Sequence, residues 1–234
     1  MTTFLSSKNE DLLNYMNRFF EETRGLSPIE TFEWYSKSYT NPVIVSSSNY
    51  FITPNTILEN PATQLLRGNT LYKMAEVKFE KINDFILGYE KISLFKIDVP
   101  IKQDTRNISQ IESIFLTKNH FALIMRLRIA LDCLNYDKNL LSNRFSGKLP
   151  IIQYQMVKGQ FSEAIIKLYS IVNNYINGDR AIEDNSFYAF LHSEIDECMN
   201  TLINLTGGHG VLLETVSRKI YLSFVIKNLF VETE

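Results

Sequence analysis

The chain has 234 residues, of which 45% are hydrophobic and 21% charged, which is enough for one large or two small domains. A formal net charge of −2 gives no basic field for nucleic acid. The two cysteines argue against a disulfide framework, and the three histidines lack the spacing of zinc ligands. No signal peptide or membrane span is expected, so we predict a cytoplasmic protein without a metal.

Residues 1–41 predict short N-terminal helices. Apolar residues recur at helical spacing in the first of them, at Leu12, Leu13, Met16, Phe19 and Phe20. A second helix should begin at Ser27, because Pro28 follows in the first turn and Glu30 lies three residues on, as in a capping box.

Residues 42–102 change period and predict a reduced β-domain. Short β-like runs occur at 43–45, 50–52 and 56–58, broken by Asn and Pro. The clearest predicted strand is 74–82, where apolar and charged residues alternate. Such a strand has one wet face, and we expect a small antiparallel sheet that leans on the helices.

Residues 103–234 predict an up-down four-helix bundle. Helices are expected at about 109–142 and 215–230. Two further inward stripes step by three and four, one through Phe161, Ile165, Leu168, Val172 and Tyr175, the other through Leu191, Ile195, Cys198, Leu202 and Leu205. The predicted fold class is therefore mainly α, with a small β appendage.

Three short motifs in the predicted bundle suggest a ligand. Arg144 offers a charged fork, Tyr154 and Gln155 an aromatic ring and an amide, and Gly207-Gly208 a bare backbone. Arg144 to Pro150 resembles the Arg-x-x-(Phe/Gly)-Gly-x-Pro loop of the acyl-CoA dehydrogenases. Tyr154 to Val157 resembles their Phe-Gln-Leu-Val helix start, and Gly207 to Gly210 their Gly-Gly-x-Gly turn.

The resemblance extends upstream, since residues 75–88 are similar to the last strand of the family's middle β-domain and its exit into the bundle. It covers about residues 70–231. In that family the bundle binds the diphosphate and adenine end of FAD across a dimer interface. The resemblance implies that FAD is bound by Arg144, Ser146, Tyr154, Gln155, Asn204, Gly207 and Gly208.

The catalytic elements depart from the family's pattern. Val231 occupies the position of the family's glutamate base, and Glu232 lies one residue away, about 100° around a helix. Leu222-Ser223 replaces an Arg-Asp pair, and an Asp-x-x-Arg pair for the CoA adenine has no counterpart near 116–119. The family's N-terminal helical domain is reduced to about forty residues in this sequence.

Each of these residues also has a purely structural interpretation. Arg144 can be a solvated loop residue, the glycine pair a helix C-cap, and His209 a residue that lines the turn. Glu232 can be a frayed terminal carboxylate. We expect Trp34 to be a helical core or interface residue. The regions 118–120 and 137–138 have the pattern of ordinary helix surface.

The sequence leaves two functions open. One is a catalytically degenerate member of the fold that acts as a dimerising or partner-binding subunit, either as a homo-oligomer or with a full-length homologue. The other is an active, shortened FAD-dependent dehydrogenase of an acyl thioester carried on CoA or on an acyl carrier protein. In that enzyme Glu232 or a partner's base would take the α-proton while the flavin accepts a hydride.

Overall fold

The structure is a computed structural model. It describes residues 2–39, 41–47, 49–68, 70–98, 117–177, 185–207 and 216–231, and for residues 2–9 it describes the backbone alone. The chain divides into two compact units. Unit one consists of Met1–Gly25 and Leu127–Ile220, and unit two of Leu26–Arg126 and Tyr221–Glu234.

Unit two is built on a six-stranded sheet in the order β4-β3-β1-β2-β6-β5. Its strands are β1 (Val43–Ser46), β2 (Tyr50–Pro54), β3 (Gln64–Arg67), β4 (Thr70–Lys73), β5 (Phe79–Ile82) and β6 (Ile92–Ile97). Most neighbours are antiparallel, but β1 and β3 run parallel, with Val43 opposite Gln64. The sheet is therefore mixed rather than wholly antiparallel.

The sheet buries apolar residues on both faces, since all four residues of β1 are buried. One core cluster is centred on aromatic rings, because the rings of Phe51 and Phe95 stack at 4.9 Å between centroids and Phe79 packs edge-on against both. Helix α2 (Pro28–Lys37) packs against β1 and β2. A sheet of such short strands thus gains its stability from layers on either side.

Two short helices and two long ones complete unit two. The short ones are α3 (Asn55–Leu58) and α4 (Phe85–Tyr89). The long ones are α5 (Lys118–Asn143), of which unit two holds the beginning, and α8 (Val216–Phe230), of which it holds the end. The hydroxyl of Tyr221 on α8 donates to the Asp84 carboxylate at 2.6 Å, while the other oxygen of Asp84 caps α4.

Unit one is helical and contains α1 (Thr2–Glu22), most of α5, α6 (Gln155–Asn177), α7 (Asn185–Thr206) and the start of α8. Helices α6 and α7 pack together, and α1 packs against α6. Buried positions on α6 and α7 recur every three or four residues, as an inward stripe requires. The stripe on α6 differs from the predicted one, because Ala164 and Ile171 are buried whereas Phe161, Ile165 and Val172 are only half-buried.

The α6–α7 pair is antiparallel. The rings of Tyr175 and Tyr188 lie 6.1 Å apart at one end. Farther along, the Cys198 thiol lies 3.7 Å from the carbonyl of Ala164. Because the contacts on α6 move towards its start as those on α7 move towards its end, Gln155 and the end of α7 lie at the same end of the pair.

The predicted fold class is confirmed, since the chain is mainly helical with a small sheet. The capping box at Ser27 is also confirmed, because its hydroxyl accepts from the Glu30 amide while its own amide donates to the Glu30 carboxylate at 2.7 Å. Trp34 lies on α2, as expected. The first helix is not short, however, because α1 has 21 residues.

Two predicted strands were wrong in part or in whole. Residues 56–58 lie in α3, which begins directly after Pro54. In the predicted strand 74–82, Met74–Glu76 forms a 3-10 turn, and only Phe79–Ile82 pairs with β6. Val77 and Phe79 do contribute to the core of the sheet, whereas Ala75 is exposed.

The described residues contain neither a membrane-spanning helix nor a cluster of metal ligands. None of the helices found there is long and apolar enough to cross a membrane. The same residues contain no group of three or more histidine, cysteine, aspartate and glutamate side chains that could hold a metal ion.

Candidate functional site

A tight hairpin joins α5 to α6 and carries the predicted phosphate-binding arginine. Its strands are β7 (Phe145–Ser146) and β8 (Leu149–Pro150). Gly147 makes the turn at φ +64°, a conformation that favours glycine. The amide of Ile151 donates to the Arg144 carbonyl at 2.7 Å, which closes the base of the hairpin.

Tyr154 ties this hairpin to the start of α6. Its hydroxyl donates to the Ser146 carbonyl, and its amide donates to the Ile151 carbonyl at 3.1 Å. Gln155 is the first residue of α6 and is exposed. The structure therefore brings Arg144, Ser146, Tyr154 and Gln155 into one short segment, all of them on the surface.

The hairpin end of unit one is electropositive. From Lys138 to Ser162 the sequence holds four cations and no acidic residue. All four are exposed, namely Lys138, Arg144, Lys148 and Lys158. The amino end of α6 adds the partial positive charge of a helix start, while the carbonyl end of α7 adds a partial negative charge at the same end, so the four cations decide the sign. This end is therefore suited to an anion.

The glycine turn begins at the same end of the α6–α7 pair. Gly207 ends α7 with φ +58°, and nothing lies within 4 Å of the position that a Cβ would take. Asn204 is exposed one turn earlier, whereas Thr206 is buried and donates to the Ile203 carbonyl at 2.6 Å. Gly208 and His209 lie outside the described residues, so their predicted roles stay predictions.

The carbonyl end of α8 carries the residue that the resemblance places at the family's base position. Val231 is buried, and its amide donates to the Lys227 carbonyl at 2.9 Å, so the helical path continues to this residue. Glu232 lies outside the described residues. The side chain that the resemblance predicts at the base position is thus an aliphatic group in the interior.

An aromatic cluster that includes Phe230, the residue before Val231, is buried in unit two. Phe121 is its hub, with ring centroids 5.6 Å from Phe32, 5.1 Å from Tyr35 and 5.1 Å from Phe230. All four rings are at most 3% exposed. We call these four residues the Phe121 cluster.

The residues that replace the Arg-Asp pair are also internal. Leu222 and Ser223 are fully buried, and the fully buried guanidinium of Arg126 donates to the Ser223 hydroxyl at 2.9 Å. A serine therefore accepts here, at a position where the resemblance predicts a carboxylate. His120 is buried too, not on the helix surface as expected, and burial lowers its pKa to about 3, so its imidazole is neutral at pH 7.

Asp137 was also predicted as helix surface, and this was wrong. It is fully buried on α5, and neither carboxylate oxygen has a hydrogen-bond partner among the described residues. Burial raises its pKa to about 7. The missed signal is spacing, because Ala130, Cys133, Asp137 and Leu141 step by three and four and are all buried.

Comparisons with known proteins give the fold but no close relative. No protein-family model matches the chain, and no curated protein matches it significantly. The structure of glutaryl-coenzyme A dehydrogenase in complex with glutaryl-CoA is similar with TM-score 0.51 and 12% identity, over 79% of this chain and 56% of that chain.

The ChsE4–ChsE5 complex from Mycobacterium tuberculosis is similar with TM-score 0.53 and 12% identity, over 80% of this chain and 62% of that chain. This chain thus spans about three fifths of the length of the solved structures that it matches. Identity this low shows the fold alone. Over about four fifths of its residues, the chain has the fold of the acyl-CoA dehydrogenases, as its motifs predict.

Proposed function

We propose that this protein is a catalytically degenerate member of the acyl-CoA dehydrogenase fold that acts in the cytoplasm as a dimerising or partner-binding subunit. The observation that carries the proposal is the environment of Val231. An aliphatic side chain cannot remove an α-proton. Val231 is buried at the end of α8, and the residue before it, Phe230, packs into the Phe121 cluster.

The replacement of the Arg-Asp pair supports the same conclusion. Leu222 and Ser223 are packed in the interior, and Arg126 donates to Ser223. A buried arginine and serine that bond to each other stabilise unit two, and they leave no carboxylate at these two positions. The altered positions have thus been converted to core packing rather than opened to solvent.

The predicted binding elements, in contrast, keep a geometry that suits a ligand. The hairpin holds Arg144 and Tyr154 on an exposed, electropositive end of unit one, and Gly207 begins its turn at that end. We therefore infer that the diphosphate and adenine end of FAD is bound by Arg144, Ser146, Tyr154, Gln155, Asn204, Gly207 and Gly208, with Arg144 at the diphosphate. The flavin ring would supply the redox chemistry when FAD is bound. In a dimer these residues would complete a flavin site of the partner chain.

Apolar exposure on the hairpin supports association. Phe145 is 65% exposed and Met156 is 75% exposed, and Leu149 is also exposed. Large apolar side chains grouped on a surface mark interaction sites. The partner is a second copy of this chain or a full-length homologue. The ChsE4–ChsE5 structure is a complex of two differently named chains.

The test is association in solution. Sedimentation at micromolar concentration should show a dimer or larger species, and Phe145→Ser should weaken it more than Phe85→Ser, which changes an equally exposed ring in unit two. A monodisperse monomer, both alone and with a full-length homologue, contradicts the proposal.

The second candidate is an active, shortened FAD-dependent dehydrogenase of an acyl thioester, and the electropositive hairpin favours it to the same degree. Here Glu232 or a partner's carboxylate must act as the base. Flavin absorbance that bleaches on addition of an acyl thioester, and that no longer bleaches in Glu232→Gln, would support the enzyme over the degenerate subunit.

A further inference from the structure

The hairpin between α5 and α6 is held in place by few contacts. Its strands β7 and β8 have two residues each, and a hairpin of that size is at best marginally stable by itself. Neither of its faces is covered, because Phe145 is 65% exposed and Leu149, which lies on the opposite face, is 47% exposed. The conformation of the hairpin therefore depends on the contacts that tie it to the helices.

Backbone hydrogen bonds fix the base of the hairpin. The Arg144 amide donates to the Leu140 carbonyl at 3.1 Å, which joins the hairpin to the end of α5. The Arg144 carbonyl accepts from the Ile151 amide at 2.7 Å. Both bonds involve Arg144, whereas Ser146 and the turn at Gly147 lie beyond them and form the tip of the hairpin.

One side chain holds the tip. The Tyr154 hydroxyl donates to the Ser146 carbonyl, next to the turn. In the part of the chain that the structure describes, no other hydrogen bond joins a side chain to residues 144–150. The backbone of Tyr154 is itself fixed, because its amide donates to the Ile151 carbonyl at 3.1 Å and its carbonyl accepts from the Lys158 amide at 2.9 Å. The tyrosine thus connects the hairpin tip to the start of α6.

The hydroxyl is the part of Tyr154 that the resemblance does not predict. The Phe-Gln-Leu-Val motif has phenylalanine at this position, and a phenyl ring has no hydrogen-bond donor. The hydroxyl therefore adds a contact to the hairpin while the rest of the ring keeps the same shape. One hydrogen bond between neutral groups typically changes a local equilibrium about fivefold.

We propose that Tyr154 is a positioning residue, whose hydroxyl holds the hairpin closed against the start of α6 and so presets Ser146 for the diphosphate and adenine end of a dinucleotide. The inference rests on the proposed function, because Arg144 and Ser146 are among the residues inferred to bind that end. Ordering the tip in advance removes a cost from binding. When the hairpin opens, the apparent affinity falls with the fraction of chains that remain closed.

Two measurements on the full chain test this inference. Trypsin cleavage after Lys148, at the exposed tip, follows the open fraction, and calorimetric titration with ADP follows the closed fraction. Tyr154→Phe should raise the cleavage rate and lower the ADP affinity. The two fold-changes multiplied together should be about five, because their product equals the change in the closing equilibrium.

Tyr169→Phe is the matched control. It removes the same hydroxyl from the same helix, at a side chain that is 75% exposed and has no hydrogen-bond partner among the described residues. This variant should change neither the cleavage rate nor the ADP affinity. Cooperative urea unfolding confirms that each variant is folded.

Gly147→Ala loosens the hairpin by a different route. Gly147 has φ +64° and nothing within 4 Å of the position of a Cβ, so alanine strains the backbone without displacing an atom. We expect faster cleavage and weaker ADP binding, with a product of at least about fivefold. Combined with Tyr154→Phe, it should weaken ADP binding further than either change alone.

Three outcomes would overturn the inference. If Tyr154→Phe weakens ADP binding without faster cleavage, the hydroxyl contacts the ligand and does not position the hairpin. If the double variant is cleaved faster but binds ADP as tightly as the parent, the closed hairpin is not the binding form. If the parent does not bind ADP, the hairpin presets nothing for it.

The outcomes for the proposed function are separate. A chain that does not bind ADP but sediments as a dimer keeps the proposed association and loses the role of Tyr154. A monomer that binds ADP more tightly than its Tyr154→Phe variant keeps the role of Tyr154 and contradicts the association.

Discussion

The buried carboxyl of Asp137 makes a prediction about stability as a function of pH. An aspartate in water has a pKa of about 3.9, and burial raises the pKa of Asp137 to about 7. Between these two values the folded chain holds a proton that the unfolded chain releases. The free energy of unfolding therefore falls as pH rises from about 4 to about 7, and it changes no further above that range.

The size of the effect follows from the pKa difference. A difference of roughly three units, at 1.36 kcal/mol each, sets a ceiling of about 4 kcal/mol on the stability lost through Asp137 by pH 8. That is a large part of the roughly 5–15 kcal/mol by which domains are stable. It arises because an ionised carboxylate without a hydrogen-bond partner among the described residues must be kept in an apolar interior.

The variant that tests this is Asp137→Asn, which keeps the shape of the side chain and removes the ionisable carboxyl group. Urea unfolding at pH 4.5, 6, 7 and 8 should show the variant and the parent nearly equal at the lowest pH, with the variant more stable by up to about 4 kcal/mol at pH 8. Asp11→Asn, at an exposed position on α1, is the control and should track the parent at every pH.

Two results would refute the reasoning. If the difference between Asp137→Asn and the parent does not change with pH, the carboxyl does not titrate in this range. If the variant is less stable than the parent at pH 8, Asp137 is ionised and stabilised by a group that the asparagine cannot bind.

Three further predictions concern packing and backbone, all measured by urea unfolding at pH 7. Phe121→Ala removes the hub of its cluster and should cost about 3–5 kcal/mol, whereas Phe85→Ala, at a 71% exposed ring, should cost less than about 1 kcal/mol; equal costs would contradict the assigned burial. Gly159→Ala on the exposed face of α6 should gain about 1 kcal/mol, and Gly207→Ala at positive φ should lose about 1 kcal/mol; the same sign for both would refute the backbone argument. Ser223→Ala removes an acceptor from a buried guanidinium and should cost about 1.5–3 kcal/mol, so a change under about 0.5 kcal/mol would show that the hydrogen bond is dispensable.

Predictions from local pattern succeeded where the cause is local. The inward stripe of α7 follows from apolar residues every three or four positions, a pattern that only a helix can bury on one side, whereas on α6 only Leu168 and Tyr175 of the predicted stripe are buried. The start of α2 follows from the Ser27 capping box, whose atoms all lie within four residues. The order of short motifs along the chain likewise predicted the fold that the structural comparisons show.

The strand predictions failed where pairing decides. Residues 74–82 alternate throughout, but a strand exists only where a neighbour offers hydrogen bonds, and β6 pairs only from Phe79 to Ile82. Residues 56–58 are as apolar as a strand, yet Pro54 introduces a helical turn there. Alternation and apolar content do not determine which strand lies alongside.

The sequence by itself determined the long helices, the capped start of α2 and the motif order, because these depend on neighbours within a few residues along the chain. Tertiary structure decided that Asp137 and Arg126 are internal, and that Gly207 begins its turn at the end of α6 where Tyr154 and Gln155 lie. A polar residue on a helix is buried or exposed according to which helices surround it. Only the register of α6 against α7 places residues that are about fifty positions apart in sequence at one end of unit one, where an anion could meet both.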